Sequence, residues 1–202
     1  MNLKILEKSD KRLKISIEGA DTGFANALRR IMMSEIPVMS VEIVEFEENN
    51  SGLFDETLAH RIGLIPIKFD RKMFNLKKDC KCDGKGCSRC QIKLIMEKEG
   101  PGMVKSADIL VEGGSIQEKD IPIIDLLEKQ RIKLEAYAEL GFGRNHAKWQ
   151  SAVIGFREEK NSHSFDIESV CGLTAMEILD SALEILEEKA ENFLKESKKA
   201  IR

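Results

Sequence analysis

Leu13, Ile15 and Ile17 alternate with Lys14, Ser16 and Glu18, the two-residue period of a strand with one buried face. Gly19 ends the run and the period changes. Asp21 or Thr22 can cap a helix in which Phe24, Ala27, Leu28, Ile31 and Met32 recur at helical spacing until Pro37 stops the pattern. Arg29 and Arg30 straddle the edge of its apolar face. Val38 to Phe46, rich in Val and Ile, reads as a strand, although its alternation breaks between Ile43 and Val44.

From about Glu47 to Gln150 the chain is interrupted by glycines, three of its four prolines and a cysteine loop. Ile92 to Met96 reads as a strand, Met103 to Val111 as a less regular one. Ile132, Leu134, Ala136, Ala138 and Leu140 alternate cleanly with charged residues and Tyr137. Between these, Ile123 to Gln130 is expected to form a short helix after Pro122. Strand pattern returns in SAVIGFREE and HSFDIESV, joined by a turn through Lys160 to Ser162.

The longest helix is expected from about Thr174 to Lys198. Ile178, Leu179, Ala182, Leu183, Leu186, Ala190, Phe193 and Leu194 form its apolar stripe, and Glu184, Glu187, Glu188, Glu191, Lys195 and Glu196 surround the rest. At 1.5 Å per residue it extends roughly 35 Å, more than a small domain needs to cover its own sheet. The stripe serves either that sheet alone or a partner as well.

Composition narrows the class. The 202 residues are enough for one domain or two small ones, and 32 basic against 35 acidic residues leave a net charge of -3. A general nucleic-acid binder carries a clear basic excess, which this chain lacks. No apolar signal stretch follows MNLKILEKSD and no run is long enough to span a bilayer, so a cytoplasmic protein is expected.

The densest chemistry is KKDCKCDGKGCSRC. Cys80, Cys82, Cys87 and Cys90 can close a tetrahedral shell on one metal ion, with Gly84 and Gly86 supplying positive-φ turns. Disulfides are the alternative and suit an oxidising compartment. All-sulfur sites take zinc or iron; the C-x-C-x4-C-x2-C spacing, with no proline after Cys90, departs from the ferredoxin pattern and favours zinc. Four thiolates leave no open coordination position, so the role is structural. Lys77, Lys78, Lys81, Lys85 and Arg89 surround the loop, as a solvated face or as a contact for phosphate or protein. Cys171 stands alone and reads as a small buried hydrophobe.

Convergent catalytic groups are few. His60, His146 and His163 fall in no nucleophile–base or zincin pattern, and Gly141 to Arg144 lacks the third glycine and strand-to-helix setting of a phosphate loop. Asp55 and Glu56 read as caps or turn formers rather than as a metal-binding pair.

Two blocks carry a more specific pattern. The first is NALRR, followed by VMSVEIVEFEENNSGLFDETLAHRIGLIPI and ending at Ile67; the second is GFGRNHAKWQSA, Gly141 to Ala152. Asn26, Leu28, Arg29, Arg30, Asn49, Ser51, Asp55, Glu56 and the run Arg61 to Pro66 match the first, and the G-x-G-x-x-H-A-K-W stretch matches the second. Together they resemble the alpha-like subunits of multisubunit DNA-directed RNA polymerase, the group with the archaeal D subunits, the eukaryotic third-largest polymerase II subunit and the bacterial alpha N-terminal domain.

The resemblance implies an α+β fold. A discontinuous alpha-like dimerisation domain, residues 1–39 and 155–202 with a sheet and two helices, would carry an inserted mixed or β domain, residues 40–154, with the metal loop at 80–90. It implies a non-catalytic platform within a nucleotidyltransferase for transcription. This would pair with a small alpha-like subunit, L in archaea, and gather the large catalytic subunits, which hold the magnesium site; DNA, RNA and other small subunits are met only through the complex. Phe24, Leu28, Ile31, Ile178, Leu179, Ala182, Leu183, Leu186 and Phe193 would bind the small partner. Arg29, Arg30, Arg61, His146, Lys148 and Trp149 would face the large subunits. Many archaeal D subunits carry a ferredoxin-like insertion, for which the stretch from Cys90 to Pro101 is too short; the compact loop resembles the zinc loop of the eukaryotic relative. Against this stand a free-standing metal or iron–sulfur redox protein and a nucleic-acid module using the basic loop.

Overall fold

The structure, a computed structural model, describes residues 1–200. In chain order its elements are β1 (Asn2–Lys8), β2 (Arg12–Glu18), α1 (Thr22–Ser34), β3 (Pro37–Asn49), α2 (Asp55–Gly63), β4 (Ile67–Lys68), β5 (Gln91–Glu99), β6 (Gly102–Lys105), β7 (Leu110–Glu112), β8 (Ser115–Ile116), β9 (Pro122–Leu126), β10 (Arg131–Phe142), β11 (Ala152–Glu159), β12 (Ser162–Ser169) and α3 (Ala175–Ala200). The fold is mixed α+β. It gathers into two compact units, residues 1–37 with the chain from 142 onward, and residues 38–141.

The first unit is an antiparallel sheet in the order β1, β2, β12, β11. Leu13, Ile15 and Ile17 lie opposite Ile167, Phe165 and His163, which places Leu13, Ile15, Phe165 and Ile167 on one face, all 1% exposed or less. Both helices cover this face: α1 packs on β11 and on α3, and α3 packs on β12 and β2. Their contribution to the core is Ala25, Leu28, Ile31, Met32, Ile178, Leu179 and Ala182; burying side chains of the larger kind stabilises by about 1.5–3 kcal/mol each.

The helix ends follow from local chemistry. Asp21 accepts the Phe24 backbone N–H at 2.7 Å and starts α1, and the Glu35 N–H returns to the Ile31 carbonyl before Pro37. Thr174 and Glu177 form a reciprocal capping box at the start of α3: the Thr174 N–H donates to Glu177 Oε2 at 2.7 Å and the Glu177 N–H to Thr174 Oγ1 at 3.2 Å.

The second unit is built on a sheet in the order β3, β10, β5, β7. Leu134, Ala136 and Ala138 lie opposite Met96, Leu94 and Ile92 in an antiparallel register, and all six are buried. The other face carries charged ladders, including Lys93 to Glu135 at 2.7 Å and Lys133 to Glu47 at 2.5 Å. Two short antiparallel pairs, β4 with β8 and β6 with β9, complete the unit, and α2 packs against β9.

Local structure departs from the sequence expectation at several places. Ile123 to Gln130 is not a helix: Pro122 to Leu126 is β9, paired with β6, with Ile123, Ile124 and Leu126 buried. Lys129 has φ +64°, and a turn from the Gln130 N–H to the Leu127 carbonyl replaces helical bonding. The expected strand Met103 to Val111 is split by a 3-10 turn at Ser106–Asp108, where the buried Ser106 hydroxyl donates to the Glu118 carbonyl. Asp55 and Glu56 lie in the first turn of α2, where acidic groups suit the helix dipole. The hydrophobic pattern does not predict β1 or α2.

Candidate functional site

The cysteine loop starts from a 3-10 turn at Lys77–Asp79, and Lys77 is held to β10 by Glu139 at 3.1 Å. Three residues in left-handed conformation follow: Asp83 (φ 51°), Gly84 (76°) and Gly86 (91°). Glycine is required most clearly at 86, where a Cβ would run into the amide of Gln91 as well as strain the backbone. The turns are closed by N–H bonds from Asp83 to the Cys80 carbonyl (3.1 Å), Lys85 to that of Cys82 (3.1 Å), and Cys90 to that of Cys87 (2.9 Å).

This backbone brings the four sulfurs together. Cys80 Sγ is 3.6 Å from Cys87 Sγ, and Cys90 Sγ is 3.6 Å from Cys82 Sγ and 3.8 Å from Cys87 Sγ; all four lie within 4.8 Å of one another. Thiolates about 2.3 Å from a central ion stand about 3.8 Å apart at the corners of a tetrahedron, so the sulfurs are spaced to ligate one ion. A disulfide needs about 2.05 Å, and all five cysteines are free thiols. The Cys87 backbone N–H points at Cys90 Sγ from 3.3 Å, a donor that favours the charged sulfur and orients it. Cys80 and Cys90 are buried, while Cys82 and Cys87 are half-buried.

The thiols hold their protons unequally. Burial pushes Cys90 up to about 12. At Cys82 burial acts in the same sense, but the Gly86 backbone and the neighbouring thiols outweigh it and draw the group down to about 7. At Cys80 the Cys82 backbone pulls downward, and burial with the Cys82 and Cys87 thiols raises the group overall. Cys171 lies outside the cluster; burial raises its thiol, and it accepts the Leu173 N–H at 3.4 Å.

The two sequence blocks form two hydrogen-bonded knots. In the first, Asn49 uses its whole amide: Nδ2 donates to the Leu53 carbonyl (3.0 Å) and Asp55 Oδ1 (2.6 Å), and Oδ1 accepts from the Ser51 N–H (3.1 Å) and hydroxyl (2.6 Å). This fixes the start of α2 and leaves Phe54 82% exposed. In the second, Arg144 donates its N–H to the Ser34 carbonyl at 3.2 Å and the Ser151 hydroxyl donates to the Met32 carbonyl. Gly143 lies so close to Met33 and Ser34 that a Cβ would strike their backbone. The block therefore ties off the C-terminal end of α1, whose carbonyls otherwise lack partners.

The residues named for a large-subunit contact differ in their local settings. Trp149 is buried, with the Lys148 ammonium 4.3 Å from its ring centre; His146 accepts the Lys148 N–H at 3.1 Å. Arg61 donates to the Ile123 carbonyl at 2.6 Å, Arg30 is exposed, and the Arg29 guanidinium lies 6.0 Å from the Phe156 ring centre. Of those named for a small partner, Leu28, Ile31, Ile178, Leu179 and Ala182 are buried within the first unit, Phe24 and Leu186 are half-buried, and Leu183 and Phe193 are exposed. An apolar strip on β1, Met1, Leu3 and Ile5, is missing from the sequence expectation, although it alternates with Asn2 and Lys4.

Among the described residues no helix is long and apolar enough to cross a membrane. Residues 41–156 match the RNA polymerase Rpb3/RpoA insert domain. The chain is 42% identical over 159 residues to the DNA-directed RNA polymerase subunit Rpo3 of Thermococcus kodakarensis, covering 78% of this chain and 59% of that one. It is 38% identical over 183 residues to the Rpo3 subunit of Methanosarcina acetivorans, covering 88% and 68%. It thus spans about 59% of the length of the Thermococcus relative. With a family model across more than half of its length and a relative matched over two thirds of its own, the chain belongs to the RNA polymerase Rpb3/RpoA family.

Proposed function

We propose that this chain is a non-catalytic assembly subunit of a DNA-directed RNA polymerase, acting in the cytoplasm. It pairs through the apolar stripe of α3 with a small alpha-like subunit, and the pair recruits the large subunits that perform nucleotidyl transfer. The observation that supports this most is α3 itself: its stripe continues through Leu183, Phe193 and Leu194 after its packing on the unit's own sheet ends, and these are 40%, 74% and 56% exposed. Such a surface is stabilised by burial against another chain. The dimerisation domain is proposed as residues 1–39 and 155–202 and the insert as 40–154, with Arg29, Arg30, Arg61, His146, Lys148 and Trp149 toward the large subunits.

Cys80, Cys82, Cys87 and Cys90 are proposed to hold one Zn2+. Bound, the ion supplies a structural cross-link without redox chemistry. The four sulfurs converge on one point, which suits a single ion; a multinuclear cluster places its own iron and sulfide atoms between the cysteine sulfurs. Coexpression with the small alpha-like subunit tests the main reading. A stable heterodimer on size exclusion is expected, lost in the Leu183→Asp, Leu186→Asp double variant; an intact heterodimer in that variant overturns the helix assignment.

A further inference from the structure

The cysteine loop presents its sulfurs in two pairs. Cys80 Sγ lies 3.6 Å from Cys87 Sγ, and Cys82 Sγ lies 3.6 Å from Cys90 Sγ. These separations share no cysteine, so together they use all four. A disulfide needs about 2.05 Å, which leaves each pair about 1.5 Å to close. The rival contact, Cys87 to Cys90 at 3.8 Å, would leave Cys80 and Cys82 to bridge across the single residue Lys81.

Each pair joins a reachable sulfur to a shielded one. Cys82 and Cys87 are half-buried, whereas Cys80 and Cys90 are buried. Cys87 also lines a cleft with Phe74, Gln91, Lys93 and Tyr137. The segment is cationic, with Lys77, Lys78, Lys81, Lys85 and Arg89 against Asp79 and Asp83. Partly exposed sulfur in a cationic setting is where oxidants act, and a second thiol within reach traps the oxidised one. Here each reachable sulfur has its own shielded partner. The left-handed residues Asp83, Gly84 and Gly86 fall inside both loops that the two bonds would close, so the backbone is already turned for the cross-links.

We propose that the loop is a site of reversible oxidation by hydrogen peroxide, in which the disulfides Cys80–Cys87 and Cys82–Cys90 take the place of the metal ion. Cys87 and Cys82 react first. At each, sulfur attacks one peroxide oxygen; the S–O bond forms, the O–O bond breaks, and the departing hydroxide takes the thiol proton to become water. The shielded partner then attacks that sulfur. The S–S bond forms, the S–O bond breaks, and a second hydroxide leaves with the partner's proton as water. Two sulfurs thus give up two electrons and one peroxide becomes two waters. Where the sulfurs start as zinc-bound thiolates, the protons come from solvent. The ion is released because a disulfide sulfur no longer carries the charge that ligates it. A dithiol reverses the change by taking over the disulfide. Ion release rests on the zinc site proposed above; the pairing rests on the sulfur positions alone.

The test uses the full chain, reduced, loaded with zinc and titrated with hydrogen peroxide. About one zinc is expected to leave for about two peroxides consumed, read with a zinc-responsive dye, while Cys171, 3% exposed, stays a thiol. Trypsin cuts after Lys81, Lys85 and Arg89 and so leaves each of the four loop cysteines on its own peptide. Mass spectrometry in acid then reads the pairing. Linkage of Cys80 to Cys87 and of Cys82 to Cys90 supports the proposal. Linkage of Cys87 to Cys90, a mixture of pairings, bonds between two chains, or sulfinic acids without disulfides overturns it. In Cys87→Ser only the Cys82–Cys90 bond is expected, and Cys80 remains open to alkylation; a Cys80–Cys90 bond there also overturns it. Dithiothreitol is expected to restore the loop thiols, and a loss that it cannot reverse overturns the reversibility. The same map on the reduced, metal-free chain keeps the two readings apart: failure to take up zinc refutes the ion, while the map still decides the pairing.

Discussion

Cys82 Sγ stands 3.6 Å from Cys90 Sγ, and one of these thiols is drawn down to about 7 while the other is pushed up to about 12. Ligation replaces such thiol protons with a metal charge. With Cys80 and Cys90 both raised, these two are protonated at neutral pH before metal arrives. Zinc binding is expected to release about two or more protons at pH 7, and its apparent affinity to fall about tenfold per pH unit for each proton displaced. Calorimetry in two buffers of different ionisation heat measures this. Release of no protons contradicts a thiolate site.

Removal of the ion by a chelator, or Cys80→Ser with Cys90→Ser, is expected to loosen residues 77–91. Without the ion, the segment between its anchors at Lys77, paired with Glu139, and Gln91, in the β5 ladder, is held by short N–H bonds and left-handed turns. Hydrogen exchange reads the effect: faster exchange in the loop and in adjoining β5, with β12 unchanged. Slow exchange in the metal-free loop would remove the structural role.

Gly143→Ala tests the second knot. Its Cβ would meet the Met33 carbonyl, with Ser34 Cα at 3.1 Å and Gln150 Cα at 3.3 Å, all backbone atoms that cannot swing aside. A loss of about 1–3 kcal/mol is expected from such overpacking. Gly52→Ala, where nothing lies within 4 Å, is the control. Equal denaturation midpoints for the two variants would show that the close approach carries no energy.

The strand at Leu13 to Ile17 and both long helices are legible in the sequence because one face of each is buried in a single core, so period and burial coincide. The metal loop is legible because cysteine spacing and glycine placement are local. β1 is not, because its apolar residues are exposed and its order comes from pairing with β2. α2 has only nine residues and buries Leu58, Ile62 and Gly63, too few to establish a period. At Ile123 to Gln130, Pro122 suggests a helix start, but pairing with β6 decides the outcome.

The start of α3 offers a test of local energetics. Thr174→Ala removes the hydroxyl half of the capping box, the Oγ1 that accepts the Glu177 N–H and donates to Glu177 Oε2, and leaves the Thr174 backbone N–H bond to that carboxylate in place. About 1 kcal/mol of stability should be lost, visible as a lower denaturant midpoint at an unchanged slope. Thr174→Ser keeps the hydroxyl and should retain most of it. Equal losses in the two variants would assign the effect to the methyl group instead.

Acid sensitivity of the first unit should trace in part to Arg12 and Asp166, joined by two hydrogen bonds of 2.7 Å across β2 and β12. The hydrogen bond from Arg12, with its charge, holds the Asp166 carboxyl below its ordinary value of 3.8. A carboxyl lowered by folding contributes stability that is complete above its unfolded value and lost as pH falls through the folded one. The contribution is therefore full at about pH 6 and decays below about pH 4. Asp166→Asn should be less stable than the parent at about pH 6, and the difference should shrink toward about pH 3. Both partners are partly exposed, so the effect is modest and weakened by salt. Metal loss in acid affects both chains alike and cancels in the comparison. A difference that stays constant across this range would mean that Asp166 acts through packing and not through its charge.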